Sequence, residues 1–153
     1  MVGAISTGVV QWAIARRLAR AEARAAARLI NIELRRSAEI VRYWLEMNSW
    51  WWPYWESPRA WSKHQSTLAL SLRGNAWSAV EHAYARLDHI GRSTDLLVNA
   101  GSKDYDSLML KDDERAQLKA DADDLDRAVA ALARFTRDRL HDRPTVFTWR
   151  PSG

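Results

Sequence analysis

The chain has 153 residues, of which 47% are hydrophobic and 27% charged, and this composition is typical of one globular domain and excludes an intrinsically disordered chain. The absence of cysteine excludes disulfides, thiol catalysis and thiolate zinc sites. The net charge is +4, with a basic segment at residues 16–36 and an acidic segment at residues 104–126. Because such segments can pair with each other, a positive net charge alone does not indicate nucleic-acid binding.

The first 15 residues carry no charged side chain, and Arg16 and Arg17 follow them directly. As a helix this segment is about 22 Å long at about 1.5 Å per residue, which is shorter than the roughly 30 Å hydrocarbon layer of a bilayer. It also lacks the basic start and the cleavage site of a removable signal peptide. The segment is therefore expected to serve attachment.

Residues 1–15 have two interpretations. In the first they form a short membrane anchor, with Trp12 at the interface and Arg16 and Arg17 on the cytoplasmic side. In the second they pack on protein through Ala4 and Gly8, because small residues four positions apart let two helices approach closely. The protein is accordingly expected to be membrane-associated with its helical domain in the cytoplasm or, in the alternative, simply cytoplasmic.

Residues 5–47 contain no helix-breaking signal and are rich in alanine, arginine, leucine and glutamate, which favour helix. They predict one long first helix. Its apolar residues recur at helical spacing and predict an apolar stripe, which consists of Leu18, Ala21, Ala25, Leu29 and Ile32 and continues with Ile30, Leu34, Val41 and Leu45.

Residues 48–61 read NSWWWPYWESPRAW and hold five of the nine tryptophans. Pro53 disfavours the helical conformation at Trp52, and it is expected to end the first helix. Ser57 followed by Pro58 predicts the N-cap and first helical position of a second helix. The aromatic side chains are expected to fill the corner between the two helices.

The aromatic segment has two further interpretations. Trp50, Trp51 and Trp55 are candidates for an exposed surface that binds a partner or a second copy of the chain. Alternatively, the rings form a pocket on which a ligand stacks, although few polar side chains are present to select one.

The second helix is expected to run to about Arg73, with an apolar face formed by Trp61, Leu68 and Leu72. Gly74 suits the left-handed position that follows a helix, and Asn75 suits the N-cap of a third helix, so a tight turn is predicted between them. The third helix is expected to run to about residue 100, with a buried face of Trp77, Val80, Tyr84 and Leu87.

Residues 101–107 are predicted to form a polar loop, and residues 111–141 a fourth helix that ends before Pro144. Its 3-4 repeat predicts a buried face of Leu118, Ala122, Leu125, Val129 and Leu132. No segment alternates as a strand would. The predicted fold is all-α, with four helices and a long N-terminal helix that extends from an antiparallel bundle. Its parts are an attachment segment at 1–15, the bundle at 16–143 and a tail at 144–153.

Metal and catalytic motifs are not evident in the sequence. His82 and His89 lie about 10 Å apart along a helix, too far to share one ion directly, and are expected to be solvated, whereas His64 is expected to be partly buried. Asp104 and Asp106 lack the glycine and glutamate that a calcium loop requires. The acids of residues 121–126 are expected to spread around a solvated helix face. The chain is therefore predicted to be no enzyme and to hold no metal or cofactor.

Arginines recur every four residues at Arg16, Arg20, Arg24 and Arg28. They are expected to form a slowly turning stripe, which is either a solvated face or a contact surface. Three partners fit a contact surface: the acidic fourth helix of another subunit, lipid headgroups, or the phosphates of a nucleic acid. Protein contact is favoured over nucleic acid, because no nucleic-acid-binding motif is evident.

Four segments together resemble a known group of proteins. They are RxEARAAARLIxxEL at 20–34, WWWPYW at 50–55, AWSKHxxxLA at 60–69 and AWSAVEHAYARL at 76–87. The chain resembles uncharacterised, predicted membrane-tethered helical proteins of high-GC Gram-positive bacteria. This resemblance implies a tether and a helical domain, and no catalytic residues.

We therefore expect a non-catalytic interaction or assembly protein, attached through residues 1–15 to a membrane or to a larger complex. A homo-oligomer or a subunit of an assembly is expected. The alternatives are a soluble protein that binds nucleic acid through the stripe of residues 16–28, and a helical protein that binds a ligand in the tryptophan-rich corner.

Overall fold

The computed structural model describes residues 3–50, 55, 58–99 and 109–137, and it gives the backbone alone for residues 3–7 and 98. Within this part the protein is all-α, as predicted, and its only strand-like pairing is an isolated bridge between Ser49 and Met109. The helices are α1 (Gly3–Met47), α2 (Ala60–Ala69), α3 (Asn75–Asn99) and α4 (Asp112–Arg137). The predicted loop at 101–107, residues 138–141 of the predicted fourth helix and the tail at 144–153 lie outside the described residues.

The pairing of α1 with α4 forms the centre of the fold. The side-chain amide of Asn31 donates to the carbonyl of Val129 at 3.0 Å, and nearer the other end Arg115 donates to the Asn48 side chain at 2.9 Å. Because residue numbers rise on α1 as they fall on α4, the two helices are antiparallel. Helix α3 packs on α4, and the short α2 lies mainly against α1.

The buried face of α1 is narrower and richer in alanine than predicted. Leu18, Leu29 and Ile32, which the spacing placed in the apolar stripe, are exposed on the outer side of the helix. Residues two apart, such as Ile30 and Ile32, project about 200° apart, so the two sets cannot share one face. The core takes the other set, in which alanines alternate with larger apolar side chains: Ala23, Ala26, Ala27, Ile30, Leu34, Ala38, Val41 and Trp44.

Helix α1 ends at Met47, well before Pro53. Asn48 adopts a left-handed conformation with φ of 51°, and the N–H of Ser49 donates to the carbonyl of Trp44 at 3.1 Å. This pattern is the Schellman ending, in which asparagine replaces the more usual glycine. The prediction that Pro53 ends the helix is therefore wrong, because Asn48 ends it first.

Helix α2 begins at Ala60, two residues later than Pro58 predicted. Arg59 precedes the first turn and makes no capping hydrogen bond through its side chain. The cap comes instead from α1, where Glu33 accepts the backbone N–H of Arg59 at 2.6 Å and that of Ala60 at 3.1 Å. A carboxylate at this position also complements the positive end of the helix dipole.

Helix α2 ends at Ala69 instead of Arg73, and the turn of residues 70–74 leads into α3. Gly74 has φ of +56°, as its predicted left-handed position requires. Asn75 is the first helical residue and not the N-cap, since the Gly74 carbonyl already accepts the N–H of Ser78. The predicted inner faces of α3 and α4 are buried or half-buried throughout.

Candidate functional site

Helix α1 projects beyond the bundle at its N-terminal end. Every side chain in residues 8–19 is exposed except that of Ala13, and none in residues 8–15 is charged. The exposed apolar side chains are Val9, Val10, Trp12 and Ile14. At about 100° per residue these four spread over roughly 200° of the helix circumference. An apolar surface that wide suits surroundings that enclose the helix better than it suits a single groove.

Trp12 extends the inner face of α1 past the end of the bundle. It precedes Ile30 by 18 residues, which is about five full turns, so the two side chains project in the same direction. Ile30 is fully buried, whereas Trp12 is 62% exposed. The Arg16 guanidinium lies over the Trp12 ring, 5.1 Å from its centroid, which is a cation–π distance.

The other residues assigned to the attachment segment lie on the same projection. Gly8 is exposed, and an added Cβ there would have nothing within 4 Å. Arg17 is exposed as well, whereas the side chain of Ala4 lies outside the described residues. In the described part of the chain, no helix combines the length and the apolarity needed to cross a membrane.

The four arginines of the predicted stripe have unequal surroundings. Arg16 and Arg28 are exposed, whereas Arg20 and Arg24 are half-buried. The Nε of Arg24 donates to the backbone carbonyl of Arg20 at 3.3 Å. A spacing of four residues advances by about 40° beyond a full turn, so the stripe rotates by about 120° from Arg16 to Arg28. One flat partner therefore could not contact all four at once.

Two arginines that sequence reasoning missed lie beside this stripe. A surface pocket of about 570 Å³ is lined by three arginines of α1 together with Arg73 and Phe135. An adjoining pocket of about 460 Å³ shares Arg73 and Phe135 and adds Arg134 and Arg127, of which Arg127 is paired with Asp124. Among the residues that the structure describes, no acidic side chain lines either pocket. We call this set the arginine rim: Arg16, Arg20, Arg24, Arg73 and Arg134.

Trp44, the last inward-facing residue of α1, is the centre of the aromatic corner. Its ring centroid lies 5.3 Å from that of Trp50 and 5.6 Å from that of Trp55. Trp50 is only 6% exposed, and its Nε1 donates to Glu114 at 3.4 Å. Trp50 thus belongs to the core, which corrects its assignment to a partner surface. Trp55 is half-buried, and Trp51 lies outside the described residues.

A second aromatic group joins α2 to α3. The Trp61 ring stacks on Tyr84 with centroids 4.9 Å apart and an interplanar angle of 16°, and it lies 5.2 Å from Trp77. An open surface pocket of about 480 Å³ runs past Trp61 and Tyr84. Because the rings pack on each other, they serve helix packing more directly than they would serve a stacked ligand.

Two acids of α4 are buried, contrary to the expected solvated face. Asp121 is 0% exposed, and it accepts a hydrogen bond from Gln117 at 2.8 Å. Asp124 accepts one from Arg86 of α3 at 3.0 Å, and the same nitrogen lies 3.5 Å from Asp121. Burial raises the pKa of Asp121, although Gln117 and Arg86 act to lower it. The pair thus fastens α4 to α3.

The histidines lie as predicted, since His82 and His89 are exposed and His64 is half-buried. In the described ranges no three side chains of the metal-binding types are grouped closely enough to hold an ion. The described side chains therefore offer no assembled site for metal chemistry.

Comparison with known proteins adds no family to these observations. The chain matches no protein-family model, and neither the curated proteins nor the solved structures gave a match. The resemblance to membrane-tethered helical proteins therefore stays a prediction, and any function rests on the geometry of the projecting helix and its surroundings.

Proposed function

We propose that this is a non-catalytic attachment protein, whose projecting start of α1 enters the surface layer of a membrane and holds the bundle there. The observation that carries the proposal is the exposed, uncharged segment of residues 8–15, with Trp12 in line with the core. Tryptophan is favoured at the membrane interface. The first 13 residues of α1 form about 20 Å of helix, which is shorter than the roughly 30 Å hydrocarbon layer, so the segment can enter the bilayer without crossing it.

The distribution of buried polar groups supports a structural role for the bundle. Asp121 and Asp124 are held by Gln117 and Arg86, and Glu33 is occupied by the start of α2. General acid–base chemistry needs a carboxyl group that a substrate can reach. Asp121 and Asp124 are buried, and Glu33, although it lines an open surface pocket of about 800 Å³, is already engaged by the first N–H groups of α2.

Cell fractionation tests the proposal. We expect the full chain to sediment with membranes and to resist a high-salt wash, and Trp12→Asn to shift much of it to the soluble fraction. Leu96→Asn, which replaces an exposed apolar residue on α3, is the matched control and should change nothing. A full chain that stays soluble would rule out the membrane attachment. Association that survives deletion of residues 1–15 would assign it to another surface.

A second candidate is self-association, and the outer stripe of α1 favours it. Leu18 is 65% exposed and Ile32 is 64% exposed, with Ala21, Ala25 and Leu29 between them at spacings of three and four residues. Arg17 and Glu22 flank this stripe five residues apart. In a parallel pair of helices this spacing lets Arg17 of one copy meet Glu22 of its partner.

Nucleic-acid binding through the stripe of residues 16–28 is the least supported alternative. Arg28 projects about 120° away from Arg16, so the four arginines do not share one face, and no nucleic-acid-binding motif is evident in the sequence. An oligonucleotide titration at low salt tests it, because phosphate-dominated binding weakens steeply as salt rises.

A further inference from the structure

We propose that the arginine rim binds anionic lipid headgroups beside the inserted start of α1. This inference rests on the proposed membrane attachment and adds its lipid preference. Membrane binding should then have two contributions. The apolar start of α1 contributes whatever the lipid charge, and the arginine rim contributes only when the lipids are anionic.

The rim forms at the level where the projecting helix meets the bundle. Arg16 and Arg20 are one turn apart, about 6 Å along α1. Arg73 comes from the turn after α2, and Arg134 comes from the last turn of α4. The two pockets share Arg73 and Phe135, so the basic surface continues from α1 across the end of the bundle.

The chemistry of the rim suits the headgroup region of a bilayer. Arginine presents several N–H donors that match phosphate and carboxylate oxygens. Phe135 lies among the arginines, and Leu70, which is 84% exposed, lines the same pocket. Cationic heads beside apolar side chains are the composition that membrane-surface segments use.

The charge at the far end of the bundle favours the same orientation. The first turn of α4 carries Asp112, Asp113 and Glu114, whereas Arg134 and Arg137 lie in its last turn. These turns are about 35 Å apart along a helix of 26 residues. An anionic surface would therefore attract the rim more strongly than the opposite end of α4, where Lys111 and Arg115 offset part of the acidic charge.

Vesicle binding by the full chain tests the proposal. One set of vesicles is pure phosphatidylcholine, and the other contains about 30% phosphatidylserine, both in about 0.1 M salt. We expect tighter binding to the anionic vesicles. Arg73→Gln/Arg134→Gln should lower that binding roughly 25-fold, since each arginine near an anionic surface contributes about a factor of five. Binding to phosphatidylcholine alone should not change.

The matched control is Arg35→Gln/Lys119→Gln, which removes the same charge. Lys119 lies about 22 Å from Arg134 along α4, and Arg35 lies about 22 Å from Arg20 along α1. Both residues are exposed, and this variant should bind as the parent does. If both variants lose binding to the anionic vesicles equally, the effect is one of net charge and not of the rim, and the inference is overturned. Circular dichroism should show that both variants keep their helices.

The outcomes separate this inference from the proposed function. If the parent binds both vesicle types equally, the attachment stands and the lipid-binding role of the rim falls. If the parent binds neither, the membrane attachment itself falls. Loss of oligonucleotide binding in the rim variant, with unchanged vesicle binding, would reassign the rim to nucleic acid.

Discussion

The hydroxyl of Tyr84 on α3 donates a hydrogen bond to the Glu33 carboxylate on α1 across 2.5 Å. The same carboxylate accepts the N–H groups of Arg59 and Ala60 at the start of α2, so one side chain joins three helices. Burial raises the pKa of Tyr84 well above its ordinary value, and the hydrogen bond to Glu33 raises it further. The hydroxyl therefore keeps its proton, and with it this hydrogen bond, even at strongly alkaline pH.

Tyr84→Phe tests this junction. The substitution removes the donor and keeps the ring that stacks on Trp61, so the loss is mainly that of a hydrogen bond to a charged acceptor. We expect the free energy of unfolding to fall by about 2 kcal/mol. Urea denaturation followed by helical circular dichroism measures it. A change within about 0.5 kcal/mol, the usual range for surface substitutions, would show that the contact contributes little.

Glu33→Ala should cost more than Glu33→Gln. Alanine leaves the first N–H groups of α2 and the Tyr84 hydroxyl without their acceptor, and losing a helix cap alone costs about 1 kcal/mol. Glutamine keeps one acceptor oxygen and should retain part of the stability. Glu46→Gln, at an exposed position on the same helix, is the control and should be neutral in the same denaturation assay. Equal losses for the two Glu33 variants would contradict a capping role.

The helices themselves were predictable, because their signals are local in the sequence. The helix-favouring composition of residues 5–47 and the glycine at position 74 are visible in short stretches of the sequence. The cap on α2 was not predictable, since Glu33 lies 26 residues before Arg59. Ser57 and Pro58 predict a helix start two residues before the observed one. The observed start depends on where α1 places the carboxylate of Glu33.

The candidate site was predictable only in part, for a similar reason. Trp12 and Arg16 stand out in the sequence because a charge-free segment ends there. Arg73 and Arg134 carry no such signal, and only the path of the chain brings them beside α1. Trp50 was misassigned because a tryptophan-rich segment looks the same whether its rings face a partner or the core.

Gly74→Ala should lower the free energy of unfolding by about 1 kcal/mol, measured by urea denaturation. The backbone there has φ of +56°, which an L side chain adopts at a cost, and nothing lies within 4 Å of the new Cβ. The loss is therefore conformational and not steric. Gly8→Ala adds the same atom in equally open space on a regular helix, so it should not destabilise. Equal effects at the two positions would contradict this reasoning.

Asp121→Asn is expected to stabilise the protein at pH 7, and the gain should vanish as the pH falls. Burial raises the pKa of Asp121 above its ordinary value of 3.8, so this carboxyl favours the folded state below that pH. The contribution is lost as the pH rises through the folded pKa, which leaves a buried charge with one unsatisfied oxygen at neutral pH. Asparagine keeps the shape of the side chain and removes the charge that burial penalises, so the free energy of unfolding should rise at pH 7. Thermal unfolding at pH 7 and near pH 4 measures the difference, with the exposed Asp123→Asn as control.

Leu18→Ser/Ile32→Ser should abolish self-association if the outer stripe of α1 is its interface. Each large apolar side chain buried in a contact contributes about 2 kcal/mol, and the variant removes four of them per dimer, so the dissociation constant should rise by roughly five orders of magnitude. Light scattering over a concentration series measures the mass, and Leu96→Ser is the control for exposed apolar area on α3.

In a parallel pair, Arg17→Glu should weaken the dimer and the added Glu22→Arg should restore it, because the exchanged charges attract again. A parent chain that stays monomeric at about 100 μM, a concentration that captures dimers bound by more than about 5.5 kcal/mol, would exclude this interface. A dimer that the charge exchange fails to restore would instead place the two helices in another orientation.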